Sequence, residues 1–575
     1  LAIGSGSTGG IIDRSATVAH NGLTAGRKAP PGRVARGPSL VGLASIGIVL
    51  VVVLSGLAFL ALAPSGTSAA RTARGPIVIV GDAAFTTENG VVGGSGTPAD
   101  PYVISGWDIP VSVGAAVTVR NTTAHFVITD VRMNGTASMS YPSYALVMTN
   151  VSNGMLSYSF ANRTYPGITL TDCRDLSLVR NDFSEMWGWA IVMSSCERVH
   201  IVANTFGTAN GVYATDCTDC TVILNQMASL EVGVLFQGSD GVLAAQNTFT
   251  GVYYCVQVAG CSNVTVMGND CTPVWSGIVL ADCGNVSVLA NRIQGSVQYG
   301  MNIDRCTYNV TVAHNLLNGT HGYSAILLED SVGVVIRNNT FSNNTATSPV
   351  DFVGGGVSLE ACVGVRVYHN RFVDNTPCQA EDDAGPLVNL WNLSYPDGGN
   401  FWDNWTAPDA SGGATQDDGL GADGIVDNPY LFDSDCSDEY PLTTPPPVDT
   451  KPVAILAVTP SSGDTSTDIN LNGTESYDPD DGCGDPFQEY RWDLQGDGQW
   501  DSDWSDDGNI TRQYPAPGNY TVLLEVRDGS GLSGFAFFDL VVSEYAIPEF
   551  GTVVLPVLAM VGLFAVIART RRKQA

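Results

Sequence analysis

Lysine is nearly missing from this chain: its 575 residues hold three, Lys28, Lys451 and Lys573. Histidine is scarce too, with five between residues 64 and 568: His125, His200, His314, His321 and His369. Over that span 17 Lys and Arg face 56 Asp and Glu, a balance of −39. Each shortage excludes something. A nucleic-acid partner is excluded, because phosphate binding needs a basic face. A lyase wants a basic residue beside a cation that binds the substrate carboxylate, and no lysine lies between residues 76 and 397. No helical period runs through the chain, so its core is not a helix bundle.

What is present is a repeat. Take Cys173, Cys196, Cys217, Ser239, Cys261, Cys283, Cys306, Ser331 and Cys362 as position zero. Six residues earlier stands a small residue, from Gly167 and Ala190 to Gly356, followed by an apolar one. Eight residues later comes asparagine: Asn181, Asn204, Asn225, Asn247, Asn269, Asn291, Asn315, Asn339 and Asn370, with Asn315 one residue late. The asparagines recur every 21 to 24 residues, except for a last step of 31. A period of this size, with apolar residues alternating as in Val264-x-Val266 and Val286-x-Val288, predicts one coil of short strands per repeat. A coil cannot bury its apolar side alone, so coils stack at about 4.8 Å into a solenoid. The asparagines are expected to bond from coil to coil and to adopt the left-handed backbone of a tight turn. The cysteines are expected as small interior residues rather than reactive thiols. Cys378, Cys436 and Cys483 fall outside the template, and spacing does not say which pair could form a disulfide.

The segment 398–442 is rich in Gly and Asp. Its Asp418, Asp423 and Asp427 could ring a calcium ion, or be a solvated acidic loop. A proline-rich linker, 443–452, marks a boundary. Residues 453–543 read as short strands and turns, the pattern of a β-sandwich. There Asp493, Gln495, Asp497 and Asp501 alternate around a glycine turn, like the start of a calcium loop without its closing acid. No cofactor is required by any of these patterns, and calcium is the ion that the acids allow.

Residues 39–63 carry no charge and follow a basic flank, 1–38. They are long enough for a transmembrane helix, while Ala61-Leu62-Ala63 also fits the cleavage site of a signal sequence. A second hydrophobic helix is expected at 551–568, before the basic tail 569–575. Both basic flanks predict a cytoplasmic side, which leaves the bulk of the chain extracellular at the cell membrane. Fifteen Asn-x-Ser/Thr sites, among them Asn121, Asn162, Asn263, Asn338, Asn404 and Asn519, agree with a glycoprotein.

Three longer motifs resemble known families. GDAAFTTENGVVGGSGTPADPYVISGWDI (81–109), the asparagine repeats and GNFWDNWTAPDA (399–410) resemble the archaeal surface branch of NosD-like proteins. That resemblance implies a right-handed parallel β-helix over 76–397, with 398–442 as its cap. NGTESYDPDDG (472–482) and YRWDLQGDGQW (490–500) resemble a PKD domain. PEFG (548–551) before the hydrophobic stretch resembles a PEF-type sorting signal, which implies an archaeosortase-like processing enzyme as a partner and a lipid anchor. The fold class expected is thus all-β, a β-helix followed by a PKD-type sandwich, with hydrophobic helices at both ends. The NosD name also implies copper, yet His314 and His369, the two histidines that precede ladder asparagines, sit two coils apart, about 9.5 Å.

Function divides into three classes. Binding of glycans or neighbouring surface proteins, without catalysis, is favoured by Trp187, Trp189, Tyr253, Tyr254, Trp275 and Tyr299, which lead into successive coils. They form either a strip along the rod or a cover for the core edge. A polysaccharide lyase or glycoside hydrolase is the alternative, the latter needing two carboxyl groups about 5 to 9.5 Å apart. Asp172, Asp216 and Asp282 share a template position, but a recurrent turn explains them better. The third class is a purely structural envelope component.

Overall fold

The computed structural model describes residues 71–544 apart from 136–142, 348–353, 385–387, 420, 433–435 and 481–488. The hydrophobic segments 39–63 and 551–568, expected as helices, lie outside the described residues, as does Cys483. Among the described residues no helix is long and apolar enough to cross a membrane.

Among the described residues thirty-eight strands form one continuous sheet that coils into a β-solenoid. One coil shows the plan. Ile168–Thr171 lies on the first face, Arg174–Val179 on the second and Asp182–Glu185 on the third. Each pairs in parallel with its counterpart one coil on, as in Ile168↔Ile191, Leu176↔Val199 and Phe183↔Phe206. The first face starts at Ile77–Val80, paired with Gly114–Thr122, and ends at Ala380–Asp382, so coils extend beyond the nine-fold template at both ends. Its thirteen strands span about 58 Å. Inside, the alternation predicted from the sequence buries one column after another, including Ile168, Ile191, Val212, Val234, Val256 and Ile278.

Two turns per coil carry fixed chemistry. At position zero the thiols are buried, and each donates to the carbonyl two residues back, Cys173 to Thr171 and Cys283 to Ala281. Burial pushes the Cys261 and Cys362 thiols up to about 11 and 12, which makes them inert interior groups. At the second turn the asparagines form an unbroken ladder. Each Oδ1 accepts the backbone N–H (2.8–3.0 Å) and the Nδ2 (2.9–3.1 Å) of the asparagine one coil before, from Asn181 to Asn370. Asn400 extends the ladder, and Asp438 closes it by accepting the Asn400 N–H (2.6 Å). Trp402 stacks on Phe372 at 4.3 Å and donates to the same Asp438, so the 398–442 segment seals the open end of the core.

One expectation is corrected. The left-handed residue is not the asparagine but the one before it: Arg180, Ala203, Leu224, Gln246, Ala290, His314, Asn338 and His369 all have φ between 51° and 60°. The side chain that bonds along the axis must stay inside, so the positive φ falls on its neighbour. Asp172, Asp216 and Asp282, with φ of 53°, 53° and 55°, fill the equivalent place before the cysteine, which is a turn role. The late Asn315 has a local cause: Tyr308 (φ 45°) and Asn309 (φ 53°) absorb the extra residue in the turn after Cys306. From Val310 the strand is back in register with Val286.

The second domain is a sandwich of a three-stranded and a four-stranded sheet around Leu471, Trp492, Tyr514, Val522 and Leu540. It folds back onto the second face of the solenoid. An outward column of that face, Val179, Val202, Ile223, Ala245 and Met267, is apolar and is covered by Leu523, with Trp500, Phe535 and Phe537 beside it. Polar contacts flank this seam. Arg180 pairs with Asp539, the Tyr158 hydroxyl donates to Asp539 (3.0 Å), and Gln246 Nε2 donates to the Ser533 carbonyl (2.9 Å).

His200 lies buried in this seam, against Gly498 and bonded through Nδ1 to Thr221 (2.9 Å). Burial holds its pKa down to about 4, with Asp175 and Arg198 as opposing neighbours. The sign follows from linkage. A histidine depressed in the docked state stabilises docking above its ordinary pKa and loses that contribution as pH falls through about 4. Protease cleavage of the 443–452 linker is therefore expected to accelerate between pH 6.5 and 4, and His200→Gln to flatten that dependence. An unchanged profile in the variant would assign it to other groups.

Candidate functional site

Among the described residues the sandwich contacts the second face between Tyr158 and His314, and none of these contacts lies on the first face. The aromatic residues stand where the chain enters the first face. Val252–Ala259 pairs with Val274–Ala281 in the register Val252↔Val274 and Tyr254↔Ser276, so Tyr253 and Trp275 lie one above the other. Their rings stack at 4.8 Å and 8°, and Tyr254 packs edge-on against Tyr253 at 5.2 Å. Trp275 Nε1 donates to Gln298 Oε1 at 2.7 Å, which fixes the indole plane.

This stack lines an open groove of about 510 Å³ together with Leu230, Glu231, Val252, Pro273, Val274 and Val297. Tyr253 remains 43% exposed although it is stacked, so it is a surface platform and not a cover of the core. A flat apolar wall beside carboxylate and amide groups can hold the C–H face of a sugar ring while bonding its hydroxyls.

The six expected aromatic residues do not form one strip. Tyr253, Tyr254 and Trp275 come together. Tyr299 stacks instead on Tyr323 at 4.7 Å, and burial raises its phenol. Trp189 packs on Tyr213 at 5.3 Å, several coils away, while Trp187 is 44% exposed. Tyr323, Tyr213 and Gln298 are the members that sequence reasoning missed.

A second feature of the first face also escaped it. Asp304, Glu329 and Glu360 occupy the same register in three successive coils. Burial raises the pKa of Asp304 and of Glu360, with Glu329 adding to both, and Asn302 Nδ2 donates to Glu329 at 2.8 Å. The signal was there, since Glu329 and Glu360 both stand two residues before position zero.

The acids considered for calcium accept hydrogen bonds within their own segments. Asp493 is buried and accepts the backbone N–H groups of Gly496 (2.7 Å), Asp497 (3.2 Å) and Gly498 (2.8 Å). Asp501 accepts from Leu494 N–H and Gln495 Nε2, which closes the turn upon itself. In the cap, Asp427 accepts from Ala410 and Ser411, and Asp423 from Gly413 and Gln416. Asp418 lies against Gly413. Among the described residues no three His, Cys, Asp or Glu side chains converge to hold a metal ion.

Copper meets the same obstacle. His200 is sealed in the domain seam, His314 Nδ1 lies 3.2 Å from Asp449, and His369 Nε2 bonds the Asp397 carbonyl at 2.8 Å. These residues do not fit a copper centre. Of the sequon asparagines, Asn162 is buried, whereas Asn263 is exposed and bonds Asp240.

The described residues thus form a β-solenoid with a docked sandwich and an open aromatic groove. The chain carries a NosD-like β-helix domain over 207–407, matching the model described as periplasmic copper-binding protein (NosD). It carries a PKD domain over 449–542 and a PEF-CTERM archaeal protein sorting domain over 547–572. The last implies an archaeal source and is consistent with membrane anchoring and processing by a sortase-like enzyme.

Similar solved structures include carbohydrate-binding modules from the β-sandwich superfamily, 31% identical over 17% of this chain and 36% of theirs, with a TM-score of 0.15. The chain therefore spans about a third of that structure. The PKD1 domain of Vibrio anguillarum Epp is 21% identical over 17% of this chain and 99% of its own, TM-score 0.14. The periplasmic alginate epimerase AlgG is 14% identical over 56% of this chain and 84% of its own, TM-score 0.33. No curated protein matches the chain.

Proposed function

We propose that this is a non-enzymatic, membrane-anchored surface protein that binds polysaccharide in the groove walled by Tyr253 and Trp275. The observation that carries the reading is the parallel ring stack in a groove lined mostly by apolar residues, on a face that the contacts of the PKD domain do not reach. The test is electrophoresis of residues 71–544 through gels cast with different polysaccharides, afterwards stained for intact polymer. Retarded bands over undegraded polymer support binding and name the ligand class. No retardation on a broad panel would move the chain to the structural class.

A second reading, glycan hydrolysis, is favoured by Glu329 and Glu360. Adjacent coils set their backbones about 4.8 Å apart, near the carboxyl separation of retaining glycosidases. A raised Glu360 could serve as acid and Glu329 as nucleophile. Cleared zones beneath the band, abolished by Glu329→Gln, would establish it.

A further inference from the structure

The way the PKD domain folds back decides which end of the rod faces the membrane. The domain enters near the late coils, where Asp449 meets His314 and Lys451 Nζ donates to the Gly268 carbonyl (3.1 Å). Its last strand, Ser533–Ser543, then runs against the direction of coiling. Ser533 touches Gln246, whereas Asp539 meets Arg180 and Tyr158, three and four coils nearer the start. Ser543 lies four residues further on, about 13 Å closer to the first coils.

From Glu544 to Gly551, where the uncharged stretch of the sorting domain begins, the chain reaches at most about 25 Å. The nine ladder steps from Asn181 to Asn400 alone cover about 43 Å, in the opposite direction. An anchor in this stretch therefore cannot lie beside the acidic cap. Charge is polarised the same way. Eight arginines, including Arg71, Arg74, Arg120 and Arg132, fall between residues 71 and 198 beside ten acids. The segment 379–442 has fourteen acids and no Lys or Arg. The first end is thus near neutral, and an anionic surface repels the second end far more strongly than the first.

We propose that the first coils form the membrane-facing end of the rod and that the acidic cap, repelled by an anionic lipid surface, is its outer tip. The inference rests on the anchoring reading above. The aromatic groove then stands midway along the rod, clear of the headgroups.

The test uses the full chain in phosphatidylglycerol-containing vesicles, with a donor dye on a genetically encoded residue at Val113 or at Ala422, both exposed. Energy transfer to an acceptor lipid is expected to be at least several-fold stronger from position 113 than from 422. Equal or reversed transfer would overturn the proposal. Releasing the PKD domain with Met267→Asp is expected to bring the two positions closer to equality, and an unchanged difference would show that docking is not the cause. In zwitterionic vesicles, where the cap is no longer repelled, transfer from 422 is expected to rise relative to that from 113, and an unchanged ratio would overturn the role of headgroup charge. Vesicle flotation reads anchoring separately: a chain that fails to float contradicts the anchor itself, not the orientation.

Discussion

Asn247→Ala is expected to destabilise the solenoid by about 3–5 kcal/mol, far more than an ordinary polar truncation. The Asn247 amide makes four bonds and is 1% exposed. Its Oδ1 accepts the Asn225 N–H and Nδ2, and its Nδ2 donates to the Val222 carbonyl (2.8 Å) and to Asn269 Oδ1 (3.0 Å). Alanine would leave the buried Asn225 N–H and the Val222 carbonyl without these partners, each costing about 1–3 kcal/mol, while the Asn225 Nδ2 keeps the Ile201 and Ile223 carbonyls. The outer face supplies the control. Asn263, Asn285 and Asn309 also bond in a column, but at the surface, where water replaces a lost partner. Asn285→Gly, which fits the left-handed backbone there (φ 53°), is expected to cost less than about 1 kcal/mol. Guanidinium unfolding of both variants checks the contrast, and equal losses would mean that the interior ladder does not hold the coils together.

Met267→Asp is expected to release the PKD domain without unfolding it. Met267 is 6% exposed and belongs to the apolar column under Leu523, so an aspartate there would put a carboxylate into that seam. Burying a charge without a partner costs several kcal/mol, enough to favour the undocked state when only this seam and a few polar bonds hold it. Small-angle scattering should show a larger maximum dimension, and the 443–452 linker should become an early protease site. Retention of the compact profile would show that the polar contacts of Arg180, Tyr158 and Gln246 suffice.

Much of this was written in the chain. The template at position zero gave the coil, its interior thiols and the asparagine ladder. The docking stripe was also legible: Leu178-Val179, Ile201-Val202, Val222-Ile223, Ala244-Ala245 and Val266-Met267 break the alternation with two apolar residues in a row. A strand that is apolar on both sides must be covered on both sides. The breaks stop at Ile336-Arg337, beyond the reach of the sandwich.

The aromatic wall could be counted, since Tyr253 and Trp275 both stand eight residues before position zero, whereas Trp189 and Tyr299 stand seven before it and Trp187 nine. Other features could not. The left-handed residues before the asparagines include Ala203, Leu224 and Ala290, whose types give no hint of that backbone. Asn400 and Asp438 finish the ladder across long insertions that spacing cannot bridge. The calcium pattern has two readings in any sequence, because alternating acids in a turn also satisfy the turn's own N–H groups.

The most direct test of the binding account is affinity electrophoresis of Tyr253→Ala/Trp275→Ala on the polysaccharide that retards the parent chain. Losing a central aromatic anchor costs about 2 kcal/mol or more, so affinity should fall at least roughly 30-fold. The variant should run as if no polymer were present, with its unfolding midpoint unchanged because neither ring belongs to the buried core. Retardation equal to that of the parent would place the ligand elsewhere on the rod and contradict the assignment of this groove.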